Sequence, residues 1–245
     1  MTQTWVILGA TSSMAKAFVK LLADRGHNLI LAGRDMDELK LNAADATARG
    51  ASNVSLHKLD MRDAKTFSPI LAELGTQDGT LNAAVFTGSM PPQAEAEANP
   101  ELIEGVIQDS HTGPATFLQN LAPMLEERAS GTIVGVGSVA GDRGRLGNYV
   151  YGSSKSGFDS YLSGLRNRLG RSGAHVVTVK PGMVDSAMTW DMDKLMFPGT
   201  PESVAKDIMK GVDKKRNVVY TPAIWRLVMF VIRHVPEPIF KKLSI

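Results

Sequence analysis

The sequence predicts an α/β protein built on one doubly wound parallel sheet, with helices covering both faces. Three observations predict it. Short apolar runs alternate with helix-period segments along most of the chain, at spacings that suit right-handed crossovers. The first run closes in Gly9 and a stretch of small residues before a helix, a layout that turns helix N-terminal N–H groups toward an anion. Later runs end at Ser138 and at Pro181-Gly182, the carboxyl ends of strands, where open α/β sheets bind their ligands.

The composition agrees. A chain of 245 residues with 43% apolar and 21% charged residues suffices for one domain with a full core. It contains no cysteine, which excludes a disulfide scaffold or thiolate metal site and fits a reducing, cytoplasmic compartment. A net charge of +2, with basic residues dispersed until the C-terminus, implies no nucleic-acid partner. The run Trp5-Val6-Ile7-Leu8 is too short for a signal peptide, and no stretch approaches a membrane span.

In order, residues 4–8 read as a buried strand. Gly9, Thr11, Ser12, Ser13 and Met14 then form the turn, and Ala17, Phe18, Leu21 and Leu22 give the helix period. Taken alone, this turn is equally an ordinary strand-to-helix connection. The second strand, residues 28–32, is followed by Gly33, Arg34 and Asp35. In a dinucleotide-binding sheet the residue closing this strand reads the adenine ribose. A carboxylate there would repel a 2′-phosphate, whereas the planar fork of Arg34 suits one. NADP(H) is therefore favoured over NAD(H), unless Asp35 takes Arg34 in an ion pair. A helix over 36–50 follows, then a strand ending at Asp60-Met61, with His57 on its face. Next come a helix over about 64–74 and a strand over 81–86 ending in Thr87-Gly88. Residues 91–100 read as a polar loop and 101–128 as one long helix.

The strand Gly131 to Ser138 precedes a helix that carries Tyr151-x-x-x-Lys155. Residues four apart share a helix face, so the phenol and the ammonium enter the same space. A phenol of pKa near ~10 is a weak catalyst at neutral pH, and an adjacent cation lowers that value. The same pair also occurs by chance on exposed helices. A sixth strand, 175–180, ends in Pro181-Gly182, a helix over 200–217 begins at Thr200-Pro201-Glu202, and residues 218–220 form a last strand.

With these motifs in place, the chain resembles the short-chain dehydrogenase/reductases from about residue 4 to 190. The resemblance rests on Ser138, Tyr151 and Lys155, with thirteen residues from serine to tyrosine, on Asp60-Met61, and on Pro181-Gly182-Met183-Val184-Asp185-Ser186. It implies a single-domain Rossmann fold and an NAD(P)-dependent oxidoreductase acting on a carbonyl or alcohol. Tyr151 would be the general acid or base, Ser138 would bond the substrate oxygen, and Lys155 would hold the nicotinamide ribose. Gly88 would contact the cofactor, and Pro181, Gly182, Val184 and Ser186 would line the nicotinamide end. Three departures mark a divergent branch. The glycine-rich loop has Ser13 and Ala15 where the family has its later glycines, the fourth strand ends in Thr87-Gly88, and Ser110 stands where an active-site Asn is usual, beside His111.

Residues 187–200, with Met188, Trp190, Met192, Leu195, Met196 and Phe197, read as a lid over an apolar small-molecule substrate. Residues 1–222 thus form the catalytic domain and 223–245 an apolar tail edged by Arg226, Arg233, Lys241 and Lys242. That tail suits an anionic membrane surface, a second subunit of a homo-oligomer (dimer or tetramer), or the protein's own core. A non-catalytic dinucleotide sensor or scaffold is the alternative to an enzyme. A nucleotide-sugar epimerase is disfavoured, for want of a sizeable second domain.

Overall fold

Seven parallel strands form one sheet in the order β3-β2-β1-β4-β5-β6-β7. They are β1 (Thr4–Leu8), β2 (Asn28–Gly33), β3 (Asn53–Lys58), β4 (Leu81–Val85), β5 (Thr132–Val136), β6 (His175–Pro181) and β7 (Val218–Thr221). The computed structural model describes residues 2–185 and 196–243. Ser186 and residues 187–195 of the expected lid lie outside the described residues.

The chain order reverses between β1 and β4, and the register keeps the carboxyl ends level there. Leu8 pairs with Ala32 on one side and with Val85 on the other. Gly9, Gly33 and Phe86 therefore leave the sheet along one edge and open a cleft between them. Because successive residues of a strand face opposite sides, each strand feeds two cores. Trp5, Ile7, Leu29 and Leu31 pack under α1 (Ser13–Ala23), α2 (Met36–Arg49) and α8 (Pro201–Asp213). Val6, Leu8, Ile30 and Ala32 pack under α3 (Phe67–Thr76), α6 (Gly113–Glu127) and α7 (Tyr149–Leu169). Burial on both faces is why the strands read as continuous apolar runs rather than alternating ones.

The helix boundaries have local causes. Ser12 caps α1 by accepting from Ala15 N at 3.2 Å. Asp35 caps α2 through Asp37 N and Glu38 N, and Gly50 ends it at φ 107°, a left-handed conformation that glycine adopts without steric cost. Thr200 and Ser203 form a reciprocal capping box at the start of α8. α7 buries Tyr151, Ser154, Lys155, Phe158, Leu162, Leu165 and Leu169, a stripe at three- and four-residue steps.

Two segments differ from the sequence expectation. Residues 91–100 are not wholly irregular, since Gln93–Ala98 forms α4. Its Gln-Ala-Glu-Ala-Glu-Ala run is polar, but every member is a strong helix former. The long helix over 101–128 is interrupted. α5 (Leu102–Ile107) passes into a π turn, Gln108–Thr112, before α6. Pro114 has no N–H for the Ser110 carbonyl, and Gly113 N reaches back five residues to Gln108 O.

The tail folds back as α9 (Trp225–His234) and α10 (Glu237–Phe240). Trp225 and Met229 are buried against Val139. Arg143 fastens both helices by donating to Ile232 O and Val235 O at 2.7 and 2.6 Å and to Glu237 at 2.8 Å, with its guanidinium 3.5 Å from the Phe240 ring centroid.

Candidate active site

One end of the cleft is lined by Gly9, Thr11, Ser12, Arg34, Asp60 and Met61. Gly9 has φ 77°, and a Cβ there would stand 3.1 Å from the Phe86 carbonyl carbon and from Thr87 Cγ2. Glycine is thus required by both conformation and space. Among the described residues nothing accepts from the Ser13 or Met14 N–H groups, which open α1 toward the cleft. Replacing the family's later glycines by Ser13 and Ala15 leaves this anion-binding helix terminus in place. Arg34 is exposed and makes no ion pair among the described residues. The alternative, an ion pair of Arg34 with Asp35, does not form, because that carboxylate is committed to capping α2. Glu38, further along α2, is engaged by Lys16.

At the other end, Met14, Gly88, Ser138, Tyr151, Lys155 and Pro181 enclose a second recess, with Gly182 and Val184 beside them. Lys155 is 3% exposed and donates to Thr87 O at 3.0 Å and to Val136 O at 2.9 Å, the carboxyl ends of β4 and β5. Burial pushes its ammonium down to about 8, while the charge of Asp159 holds it up. Tyr151 is buried beside it, with Lys155 Nζ 5.8 Å from the ring centroid. The phenol is not lowered, contrary to the expectation from the spacing. Burial pushes it up to about 12, and a hydrogen bond from Ser138 opposes this only in part. Loss of water around the phenolate decides the direction, and the charge of Asp159 adds to it. Ser138 accepts from Ala140 N at 3.0 Å, which orients its hydroxyl and leaves the proton free to donate.

The π turn brings Ser110 rather than His111 to this recess. A Cβ at Gly88 would lie 3.1 Å from Ser110 Oγ and 3.1 Å from Lys155 Nζ. His111 instead lies over α7, where a Cβ at Gly157 would stand 2.8 Å from its ring. Gly182 has no room for a side chain, since a Cβ there would lie 1.9 Å from Trp225 Nε1. The sequence reading missed this contact between the tail and the Pro-Gly turn. It also missed Asp159, although its place four residues after Lys155 on one helix face was visible. His57 pairs with Glu73 at 2.5 Å, away from the cleft.

The Gly9 cradle, the free N–H groups of α1 and the buried Tyr151–Lys155 recess fit the two ends of a nicotinamide dinucleotide. Fold and site together define a dinucleotide-dependent oxidoreductase. The short chain dehydrogenase family model matches residues 3–195. An uncharacterized oxidoreductase of Mycobacterium tuberculosis is 30% identical over 97% of this chain and 96% of that protein. Among solved structures, the bulky-bulky ketone specific alcohol dehydrogenase from Comamonas testosteroni is similar at a TM-score of 0.80 and 21% identity, covering 97% of this chain and 96% of that one. A short-chain dehydrogenase from Sphingobium yanoikuyae, solved in complex with NADPH, gives 0.76 and 21%, covering 97% of each chain. The last two share the fold. The chain belongs to the short-chain dehydrogenase/reductase family, whose members are NAD(P)-dependent oxidoreductases.

Proposed function

We propose that the protein transfers a hydride between NADP(H) and an apolar carbonyl or alcohol, with Tyr151 as the proton donor or acceptor. The observation that carries this reading is the single recess shared by Ser138, Tyr151 and Lys155, with the lysine fixed by two backbone carbonyls. The dinucleotide, when bound, supplies the hydride. Tyr151 keeps its proton at neutral pH, so the site is set to donate it to the oxygen of a carbonyl undergoing reduction. Ser138 donates to the same oxygen as negative charge develops there. Lys155 contributes a buried positive charge that favours the phenolate left after transfer, and Ser110 Oγ lies close by at Gly88. Arg34, free of carboxylates, supports the preference for a 2′-phosphate. Met183 and Met196 meet beside Gly182, and half-exposed Met196 and Phe197 support an apolar substrate.

Tyr151→Phe is expected to bind NADPH as the wild type does while losing about a hundredfold or more of its reductase rate over a panel of lipophilic ketones. Wild-type protein that binds NADPH but oxidises it with no carbonyl would instead support a non-catalytic sensor.

The outer face of α9 supports an anionic membrane surface as a partner. Leu227, Phe230 and Val231 are more than half exposed, and Arg226, Arg233 and Arg216 edge them around a groove along β7. The neighbouring acids are engaged, Asp213 by Arg25 and Glu237 by Arg143. Two copies facing each other here would oppose arginines, whereas anionic headgroups complement them. No described helix is long and apolar enough to cross a membrane. The protein should co-sediment with vesicles containing phosphatidylglycerol and not with pure phosphatidylcholine, and Phe230→Glu should abolish this. Indifference to both vesicles, together with a dimer that Phe230→Glu dissociates, would assign the face to a second copy.

A further inference from the structure

Beneath the recess lies a buried charge array that the chemistry above does not use. α7 carries Asp159 one turn beyond Lys155 and two beyond Tyr151, on the same face. Glycines on either side of Ser138 make room for its carboxylate. A Cβ at Gly137 would fall 2.0 Å from Asp159 Oδ1, and one at Gly141 would fall 3.2 Å from Oδ2. Lys180 of β6 brings Nζ to 2.9 Å from Asp159 Oδ2 and also bonds Asp142. Asp142 in turn accepts from the Tyr220 hydroxyl of β7 at 2.8 Å. The side chains of Asp142 and Asp159 are only 2% and 10% exposed.

Carboxylates so far from water persist only with compensating positive charge. Lys180 serves both, and Lys155 adds a second buried cation on the Asp159 side. Burial drives Asp159 up to about 6, with the charge of Lys180 the largest opposing influence and Lys155 a further one. Arg166 also faces Asp159, but its guanidinium is bonded to Val176 O, Thr178 and Asn217 O. Arg145 acts on Asp142, Tyr220 is spent on Asp142, and Arg233 lies beyond Tyr220. On the π-turn side, His111 packs against Gly157, and burial lowers its pKa. Asp159 is therefore the carboxylate that acts on Lys155.

We propose that Asp159, kept ionised by Lys180, is a positioning residue that keeps the Lys155 ammonium charged and so sets the upper pH limit of proton donation by Tyr151. The inference rests on the oxidoreductase reading of the same site. Its sign is definite. Removing the Asp159 charge favours loss of a proton from Lys155 and from Tyr151 alike, because that anion raises both. The alkaline limb of carbonyl reduction then moves to lower pH.

The test uses Asp159→Asn, which keeps the shape of the side chain. In protein labelled with [ε-13C]lysine, the Lys155 resonance, assigned with Lys155→Met, is expected to titrate about one pH unit lower in the variant. Carbonyl reduction should fall about tenfold at the alkaline end and converge on the wild type near pH 6. Lys180→Met should act in the same direction, since Asp159 then takes up a proton. An unmoved Lys155 titration, or a rate loss equal at every pH, overturns the proposal. If Asp159→Asn does not fold, wild-type protein labelled at lysine and aspartate serves instead. There the Lys155 signal must register the Asp159 titration, and a signal blind to it overturns the proposal. The resonance needs no turnover, so failure of the oxidoreductase reading would leave this result standing and recognisable.

Discussion

The two ends of the cleft solve different problems with different materials. Around Gly9 the surface is backbone, helix N–H groups, one exposed arginine and Asp60, with the nearby carboxylates of Asp35 and Glu38 engaged elsewhere. Around Tyr151 it is buried charge, in which Lys180 pairs with Asp159 and Asp142 beneath Lys155, and the chain is cut back to glycine at 137, 141 and 182 to admit Asp159 and Trp225. A solvated end tolerates change because water replaces what is lost. A dry end does not, because each group removed leaves a partner uncompensated.

The contrast can be broken in graded steps. Gly182→Ala drives a methyl into the Trp225 indole and should cost the most, about 2–3 kcal/mol of stability from overpacking. A melting temperature lowered by roughly 4–12 °C would show it. An unchanged melting temperature would mean that the tail is not wedged against the catalytic end. Arg34→Ala should leave stability alone and weaken NADPH by about tenfold or more, from the loss of charge-assisted bonds worth ~1.5–3 kcal/mol, with NADH unaffected. Equal losses for the two dinucleotides by titration calorimetry would remove the cofactor preference. Gly9→Ala, strained at φ 77° but with contacts no closer than 3.1 Å, should cost about 1–2 kcal/mol in denaturant unfolding. A loss as large as that of Gly182→Ala would erase the distinction between the two ends.

A pH profile sharpens the comparison further. Lys155, pushed down to about 8, carries its charge below that value and loses it above, whereas Tyr151, pushed up to about 12, keeps its proton throughout. Carbonyl reduction at saturating NADPH should therefore decline as pH rises through about 8. A flat rate to pH 10 would show that the lysine charge is not needed.

Much of this was legible in the chain. Apolar runs closed by Gly9, Gly33 and Gly88 mark strands buried on both faces, and the helices between them carry their apolar periods. Tyr151 and Lys155 were legible because helix geometry ties residues four apart whatever surrounds them, and Ser138 through the thirteen-residue spacing of the family it resembles. The interruption at Gln108–Thr112 was half legible, since Pro114 announces a missing N–H but not which carbonyl is passed over. The helix at Gln93–Ala98 was hidden by its polarity.

Tertiary structure decided the rest, for one reason: the state of a buried ionisable group depends on everything packed around it. The spacing of Tyr151 and Lys155 predicts a lowered phenol, but burial reverses the direction. Asp159, Lys180, Asp142 and Tyr220 come from four separate stretches of chain, and only the closed sheet sets them against Lys155. The sequence by itself determined which groups could do chemistry; the fold determined which of them are charged.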